Sequence, residues 1–221
     1  MTALPVAFGL FIAGLPGKIT SFSAALGFWQ GSAGAVAGTE RWKLHKTVAL
    51  VGMMGAGKTA VGKALAARLG VRFLDSDAEI EQAAAMSIAE IFERDGEAFF
   101  RDRETRVLAR LLEGEGAILS TGGGAFLSAR NRELISQRGV SVWLDADLTL
   151  LWQRVRHKDT RPLLRTADPF GTLKALYAAR VPIYALADLR VRADPAYAVE
   201  TMAGKVIDAL LTRPDVLERT P

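Results

Sequence analysis

The clearest chemical signal lies in residues 52–59, which read GMMGAGKT and fit the phosphate-loop pattern G-x-x-x-x-G-K-[ST]. The glycines of this pattern allow successive backbone N–H groups to curl around a polyphosphate. Lys58 can reach the β- and γ-phosphates, and the Thr59 hydroxyl can ligate Mg²⁺. An apolar run at 47–51 precedes the loop and a helical pattern follows it, as this function requires. The segment predicts a nucleoside triphosphate site but leaves the acceptor open, because unrelated kinases, GTPases and motors share the loop.

Two carboxylates follow a second short apolar segment, in the sequence FLDSD at 73–77. Asp75 and Asp77 would then lie at the same edge of a sheet as the phosphate loop. There one carboxylate can hold a Mg²⁺-bound water, while the other orients or deprotonates an acceptor alcohol for in-line attack. The alternative is that Asp77 only caps a helix that begins at Ala78.

Three consecutive glycines, Gly122, Gly123 and Gly124, come directly after an apolar run that ends near Ser120. Glycine loses more backbone entropy on folding than any other residue, so three in a row are unfavourable for a simple turn. We expect a ligand to approach the backbone N–H groups closely here. The alternative is a tight turn between a strand and a helix.

Two arginines have a chemical interpretation that the local sequence does not settle. Arg101 can recognise a carboxylate in a bidentate manner, but its neighbours Glu97 and Glu104 also allow a surface salt bridge. Arg161 lies in a charged stretch without periodicity, 157–170, which we interpret as a mobile lid. Closure of such a lid would bring an arginine over the γ-phosphate and exclude water.

Two further arginines lie in helical patterns. Arg154 is a candidate for stacking on a base, and its alternative is a solvated surface charge. Arg180 carries no signal by itself. It precedes Pro182, and a proline there predicts a kink or a restart of the helix.

Short apolar runs alternate with helical patterns between these residues, which predicts an α/β fold with a mostly parallel sheet covered on both faces. Ligands of such sheets bind beyond the carboxyl ends of the strands, where the residues above lie. Five strands are predicted, at 47–51, 71–74, 117–120, 140–144 and 188–191. Besides the helix that follows the phosphate loop, helices are predicted at 80–86, 88–94, 98–112, 130–137, 148–157, 173–185 and 199–211.

The composition suits one enzyme domain of ordinary size. The chain has 221 residues, enough to bury a core without stabilising disulfides or metal sites. It has no cysteine, which excludes a thiolate nucleophile, a cysteine zinc site and a disulfide. A cytoplasmic location fits. The net charge of +4 comes from basic residues dispersed among acidic ones, with no basic tract interleaved with aromatics, so no nucleic-acid binding is expected.

The N-terminal residues differ in composition from the rest, since residues 1–38 carry a single charge, on Lys18. Their apolar run at 3–14 is too short to span a membrane and lacks the basic region of a secretory signal, so no stable membrane association is expected. Three interpretations stay open: a weak signal or membrane-associating segment, a flexible extension, and upstream codons included by a misplaced start, which we favour. The predicted organisation is an extension at 1–39, one domain at 40–213 and a tail at 214–221.

Together, five segments resemble the shikimate kinase family. They are LVGMMGAGKT at 50–59, FLDSD at 73–77, GEAFFRDRE at 96–104, TGGG at 121–124 and RPLL at 161–164. The first is common to phosphate-loop proteins, whereas the combination is specific. The resemblance extends from about Lys46 to Leu211. It implies a nucleoside-monophosphate-kinase-like three-layer sandwich with a five-stranded parallel sheet in the order 2-3-1-4-5 and a mobile lid.

The resemblance also implies the activity, which is transfer of the γ-phosphoryl group of ATP to the 3-hydroxyl of shikimate in the biosynthesis of chorismate and aromatic amino acids. One Mg²⁺ per subunit and a monomeric protein are implied. The implied catalytic residues are Asp77, as the base candidate, and Lys58 and Arg161, which would neutralise charge in the transition state. The implied ATP contacts are Gly55, Ala56, Gly57, Lys58, Thr59, Ala60, Arg154 and Arg161. The implied shikimate contacts are Asp77, Gly122, Gly123, Gly124, and the carboxylate-gripping pair Arg101 and Arg180. The implied metal contacts are Thr59 and, through water, Asp75.

One departure from the family pattern concerns the adenine pocket. Family members often have a polar side chain after the last strand, whereas this chain has Pro195 and Ala196 there, so a backbone contact is expected. Two classes of protein compete with a shikimate kinase: a gluconate kinase of the same fold, and a non-catalytic nucleotide sensor or nucleic-acid binder. The presence of all four residues expected for catalysis argues against the non-catalytic class; these are Asp75, Asp77, Lys58 and Arg161.

Overall fold

A five-stranded parallel sheet lies at the centre of this computed structural model, which describes residues 41–157 and 162–220. The strands of the described residues are β1 (Arg41–Leu44), β2 (Thr47–Val51), β3 (Phe73–Asp75), β4 (Ile118–Ser120), β5 (Gly139–Asp145), β6 (Leu189–Arg192) and β7 (Leu217–Thr220). The central sheet has the order β3-β4-β2-β5-β6. When its own strands are numbered from one, this order is 2-3-1-4-5, so the predicted fold is confirmed.

The middle of the sheet is its most apolar part. Every residue of β2 is buried, and this strand pairs in parallel with β4 on one side and with β5 on the other. A strand that is flanked on both edges and covered on both faces has a continuous apolar sequence rather than an alternating one. This is why the run TVALV marks the central strand so clearly.

Helices form the two outer layers. The described helices are α1 (Lys58–Leu69), α2 (Ser76–Ala84), α3 (Ile88–Leu111), α4 (Ala129–Arg138), α5 (Leu148–Val155), α6 (Pro169–Tyr184) and α7 (Val199–Leu210). Single turns of 3-10 helix occur at Ala125–Leu127 and Pro162–Leu164. Helix α1 packs against α7, whereas α4 packs against α3 and β5.

Two helices differ from their predicted bounds for local reasons. Helix α2 begins at Ser76, four residues before the predicted start, because the Asp75 side chain accepts hydrogen bonds from the first-turn backbone N–H groups. The predicted helices at 88–94 and 98–112 form one element, α3, in which Gly96 interrupts the helical backbone with φ 81°. Glycine permits this conformation, so α3 consists of two arms that meet at the predicted break.

Pro182 lies inside the last turn of α6, and the helix continues through it to Tyr184 without a restart. The proline removes one backbone donor, but only two helical residues follow it. The residues of α6 before and after Pro182 can therefore share one helix face.

The two ends of the described chain pair with each other in a second, antiparallel sheet. Strand β1 pairs with β7 from Arg41 opposite Thr220 to Leu44 opposite Leu217. The Arg219 guanidinium lies 5.4 Å from the centroid of the Trp42 ring. The segment that we interpret as a C-terminal tail thus contains a strand. Its four-residue sequence, LERT, is too short and too polar to indicate a strand, and its partner is β1, at the other end of the described residues.

The carboxyl ends of the central strands bring the predicted chemical residues to one edge of the sheet. Leu50 and Asp75 both align with Ser120 in the parallel register. The phosphate loop, the two aspartates and the glycine run follow these three strands. The predicted extension at 1–39 and Arg161 in the predicted lid lie outside the described residues. None of the helices in the described part combines the length and hydropathy that a membrane span needs.

Candidate active site

The phosphate loop joins β2 to the N-terminus of α1 and has the backbone of an anion cradle. Gly52, Gly55 and Gly57 have φ of 136°, 83° and 97°. At Gly52 a Cβ would also lie 2.9 Å from the Leu144 carbonyl oxygen, so a larger residue would not fit. The loop therefore needs glycine for its conformation and for its packing against β5.

Lys58 lies across this loop. Its Nζ donates hydrogen bonds to the carbonyl oxygens of Gly52, at 2.9 Å, and Met53, at 3.1 Å. The ammonium group and the N-terminal end of α1 thus both present positive charge at the loop.

Arg154 approaches the loop from α5. Its Nη1 donates to the carbonyl oxygens of Gly55, at 3.2 Å, and Ala56, at 3.3 Å. The side chain is half-buried. The structure places Arg154 where it braces the phosphate loop, a role that the sequence did not suggest. Stacking on the base stays a prediction.

Asp75 lies beside Thr59. The Thr59 hydroxyl donates to Asp75 Oδ2 at 3.1 Å, and Ser120 Oγ lies 3.2 Å from the same hydroxyl. Asp75 Oδ1 accepts from the backbone N–H groups of Asp77, at 3.1 Å, and Ala78, at 3.4 Å. Asp75 is therefore the helix cap, and the alternative in which Asp77 only caps a helix is wrong.

These contacts test whether the residues present suit Mg²⁺. Thr59, Ser120 and Asp75 supply hard oxygen atoms in one cluster, which is the ligand type that Mg²⁺ prefers. The described residues contain no group of three or more His, Cys, Asp or Glu side chains that could hold a metal. An ion here would therefore depend on phosphate and water oxygens for its remaining ligands, as Mg²⁺ in kinases commonly does. Thr59, Ser120 and Asp75 therefore suit Mg²⁺, provided that phosphate and water oxygens complete its ligands.

Asp77 is half-buried in the first turn of α2, with its carboxylate next to the glycine run. Burial raises the pKa of its carboxyl above 3.8, and the Asp75 charge raises this pKa further, against the opposing effects of Lys58 and Arg101. A Cβ at Gly122 would lie only 2.5 Å from Asp77 Oδ1. Gly122 is thus needed for close contact between the carboxylate and the backbone.

Arg101 is held by two glutamates of its own helix. Its Nη1 donates to Glu104 Oε2 at 3.0 Å, and its Nη2 donates to Glu97 Oε1 at 3.1 Å. The side chain of Glu104 is only 1% exposed, whereas that of Glu97 is 67% exposed. Burial raises the pKa of the Glu104 carboxyl, and the charge of Arg101 opposes this. The salt-bridge alternative is thus correct for Glu97, but a buried partner such as Glu104 fixes the guanidinium in place.

Arg101 also meets the glycine run. A Cβ at Gly124 would lie 2.5 Å from its Nη1. The glycine run, which lies between the side chains of Asp77 and Arg101, therefore fits both of them closely. These contacts explain Gly122 and Gly124, whereas a Cβ at Gly123 would meet only the Met54 nitrogen, at 3.8 Å.

Arg180 lies in α6 at the same site, together with Tyr184, to which the sequence assigned no role. The Tyr184 hydroxyl donates a 2.5 Å hydrogen bond to the Gly123 carbonyl oxygen. Burial raises the pKa of Tyr184 to about 12, while Arg180 lowers it through its charge and a hydrogen bond. The spacing of four residues on a helix was the available signal.

A cavity of about 600 Å³ joins the phosphate loop to the acidic residues. Ten of the predicted residues line it: Gly55, Ala56, Gly57, Lys58, Thr59, Ala60, Asp75, Asp77, Gly123 and Arg154. Gly122, Gly124, Arg101 and Arg180 do not line this cavity. Gly122 and Gly124 flank the lining residue Gly123, Arg101 lies against Gly124, and Arg180 lies four residues before Tyr184, which hydrogen-bonds to Gly123. Asp194, Tyr197 and Met202 are lining residues that the sequence did not indicate. Pro195 and Ala196 do not line it, and the Ala196 N–H is taken by Asp194 Oδ1 at 2.8 Å.

Known proteins resemble this chain over most of its length. The family model described as shikimate kinase matches residues 54–211. A shikimate kinase of Ruegeria pomeroyi is 74% identical over 175 residues, which cover 79% of this chain and 90% of that protein. One of Cereibacter sphaeroides is 64% identical, over 80% of this chain and 88% of that protein.

A solved structure agrees with these sequence matches. It is described as a shikimate kinase from Acinetobacter baumannii in complex with shikimate, and it has a TM-score of 0.72 and 41% sequence identity. The match covers 76% of this chain and 94% of that one.

Proposed function

The chain belongs to the shikimate kinase family, and from this premise we propose how its own residues phosphorylate the 3-hydroxyl of shikimate with ATP. The observation that carries the proposal is the shared cavity. One end of the cavity is the phosphate loop, and the other end contains the carboxylate of Asp77. The glycine run lies between this carboxylate and Arg101, whose guanidinium is held by the buried Glu104.

The donor half binds the triphosphate of ATP. The backbone N–H groups of the loop and the N-terminal end of α1 face the phosphates, and Lys58 exchanges its contacts with the loop carbonyls for the β- and γ-phosphates. Arg154 stabilises the conformation of the loop through its hydrogen bonds to the carbonyl oxygens of Gly55 and Ala56. Because the fold and the hydrogen bonds of Arg154 hold the loop backbone in place, the loop donors need little reorganisation when charge moves in the transition state.

Thr59 and Asp75 would hold Mg²⁺, Thr59 directly and Asp75 through water. When bound, the ion would supply positive charge that offsets the charge of the phosphates during transfer. Ser120 adds an oxygen to this cluster and is a further candidate for an outer contact.

The acceptor half orients the alcohol. Asp77 accepts the proton of the attacking hydroxyl or holds that hydroxyl in line, and its raised pKa makes it a stronger proton acceptor than an ordinary aspartate. Arg101 and Arg180 bind the carboxylate of shikimate, because two guanidinium groups provide planar, paired donors for such an anion. Gly122, Gly123 and Gly124 allow the substrate to approach the backbone.

Arg161, in the predicted lid, is the last residue to which we assign a role. An arginine brought over the γ-phosphate would stabilise the charge that develops during transfer, and closure would keep water from taking the phosphoryl group. A monomeric state and a cytoplasmic location likewise stay predictions.

A panel of acceptors tests the proposal. ADP release is coupled to an optical signal with shikimate, with gluconate and with no acceptor, at equal ATP and Mg²⁺. We expect turnover with shikimate that exceeds both other rates by at least about 100-fold. Without an acceptor the polar groups of the site stay unpaired, and the open chain of gluconate does not hold its hydroxyls at the fixed distance from the carboxylate that the shikimate ring provides. Equal rates with gluconate, or acceptor-independent hydrolysis alone, would overturn the proposal.

A further inference from the structure

The glycine run contacts three different parts of the acceptor half. Gly122 packs against Asp77 and Gly124 packs against Arg101, as described above. Gly123 instead uses its carbonyl oxygen, which accepts the hydrogen bond of Tyr184. The run is therefore connected to α2, α3 and α6 at successive residues, and Tyr184 provides the connection to α6.

Tyr184 is well suited to hold a fixed position. Its side chain is fully buried, and its ring stacks with those of Phe126 and Trp143, each with centroids 6.5 Å away. The ring therefore has little freedom to turn, and its hydroxyl marks a defined point in the site.

The hydroxyl of Tyr184 lies among the groups that are predicted to bind the substrate. It has one hydrogen, which it donates to Gly123, so only its oxygen is left to accept from Arg180, which lies four residues earlier on the same helix and whose charge acts on the hydroxyl. The charge of Arg101 also acts on this hydroxyl. Because burial raises its pKa to about 12, the hydroxyl keeps its hydrogen, and hence its donor role, at neutral pH.

We propose that Tyr184 is a positioning residue for the acceptor substrate. Its hydroxyl is hydrogen-bonded to the Gly123 carbonyl, and its side chain lies on the same face of α6 as Arg180, four residues earlier. Tyr184 thereby sets the distance between the backbone that contacts the substrate and one arginine of the carboxylate clamp. Tyr184 does not line the cavity with Asp77, so it acts through these two neighbours and does not touch the reacting atoms. The inference rests on the proposed function, because it assumes that Arg180 binds the substrate carboxylate.

The variant Tyr184→Phe tests this role, since it keeps the buried ring and removes only the hydroxyl. We expect the KM for shikimate to rise about tenfold, because Arg180 and the glycine run lose their common partner. The KM for ATP should stay within about twofold, since the hydroxyl does not contact the phosphate loop. An unchanged KM for shikimate, or equal rises for both substrates, would overturn the inference.

Tyr177→Phe is the matched control. Tyr177 lies on the same helix, but the charges that act on its hydroxyl are those of Asp145, Asp147, Arg190 and Arg192 rather than the acceptor groups. Both KM values of this variant should equal those of the unaltered protein. A rise in the KM for shikimate as large as that of Tyr184→Phe would show a general effect of α6 and would contradict a specific role for Tyr184.

A double-mutant cycle adds a readout that a purely structural role would not move. Arg180→Lys and Tyr184→Phe are made singly and together, and KM for shikimate is measured for each. If Tyr184 acts through Arg180, the combined rise should be at least about threefold smaller than the product of the single rises. A combined rise equal to that product would contradict the proposal.

A second measurement covers the case in which Tyr184→Phe fails to fold. The chain has three tyrosines, so 3-fluorotyrosine gives a ¹⁹F spectrum that Tyr177→Phe and Tyr197→Phe assign by difference. Shikimate alone should shift the signal of Tyr184. No shift at saturating shikimate would overturn the inference. The proposed function fails separately, if the unaltered protein shows no shikimate-dependent release of ADP.

Discussion

The packing of Gly122 against Asp77 gives a sharp prediction for the variant Gly122→Ala. A Cβ at this position would lie 2.5 Å from Asp77 Oδ1, and ordinary contact begins at 3.4 Å, so the carboxylate must move by roughly 1 Å. A misplacement of about 1 Å can reduce a rate roughly 100-fold. We therefore expect kcat to fall about 100-fold, with the KM for ATP within about twofold.

The fold should tolerate this change. Gly122 is not among the glycines of positive φ, and the nearest atoms to the added Cβ belong to side chains rather than backbone: Asp77 Oδ1 at 2.5 Å and Glu104 Oε1 at 3.3 Å. We expect the free energy of unfolding, measured with urea, to change by no more than about 1 kcal/mol. Loss of activity together with loss of the folded state would refute the claim that the change displaces carboxylates and leaves the fold intact.

Gly204→Ala is the matched control for Gly122→Ala. Gly204 lies inside α7, where a Cβ would meet only the flexible end of Arg68, at 3.2 Å. Alanine favours a helix interior over glycine, so this variant should gain about 0.5–1 kcal/mol of stability with unchanged kinetics. A kcat for Gly122→Ala within about threefold of the unaltered protein would refute the geometric reasoning.

Three further predictions concern the charged groups. Arg101→Ala and Gly124→Ala should each raise the KM for shikimate about tenfold or more and leave the KM for ATP nearly unchanged. The first variant removes the carboxylate-binding arginine, and the second displaces it. A change in the KM for ATP alone would contradict this prediction. Asp75→Asn should move the acidic limb of the pH profile of kcat to lower pH. The charge of Asp75 raises the pKa of Asp77, so removing this charge lowers that pKa, and Asp77 then stays ionised and active to lower pH. Asparagine can still cap α2. An acidic limb that stays in place or moves to higher pH would be inconsistent with Asp77 as the base. Arg154→Ala should raise the KM for ATP about tenfold in initial-rate assays, since two loop carbonyls lose their donor, and an unchanged KM for ATP would speak against the bracing role.

The elements that the sequence predicted well are those with strong local signals. The run TVALV and the loop GMMGAGKT lie next to each other, and both are decided by short-range patterns: continuous burial for one and glycine conformation for the other. The positions of the glycine run and of the two aspartates at the edge of the sheet were also predictable, because each segment directly follows a strand.

The contacts that support these residues were not predictable, because they join distant parts of the chain. Ser120 reaches Thr59 across 61 positions, and Tyr184 reaches Gly123 across 61 positions as well. Glu104 was visible as a neighbour of Arg101, but its burial depends on the packing of α3 against the rest of the fold. The pairing of β1 with β7 is the extreme case, since each strand alone is a short, charged segment.

The most direct test of the central claim is the stoichiometry of the reaction with Asp77 intact and altered. The unaltered protein is incubated with ATP, Mg²⁺ and shikimate, and ADP and shikimate 3-phosphate are quantified by ³¹P NMR. Equal amounts of the two products are expected, and Asp77→Asn should lower both rates by about 100-fold or more while ATP binding stays nearly intact. ADP without shikimate 3-phosphate, or Asp77→Asn turnover within about tenfold of the unaltered protein, would contradict the account.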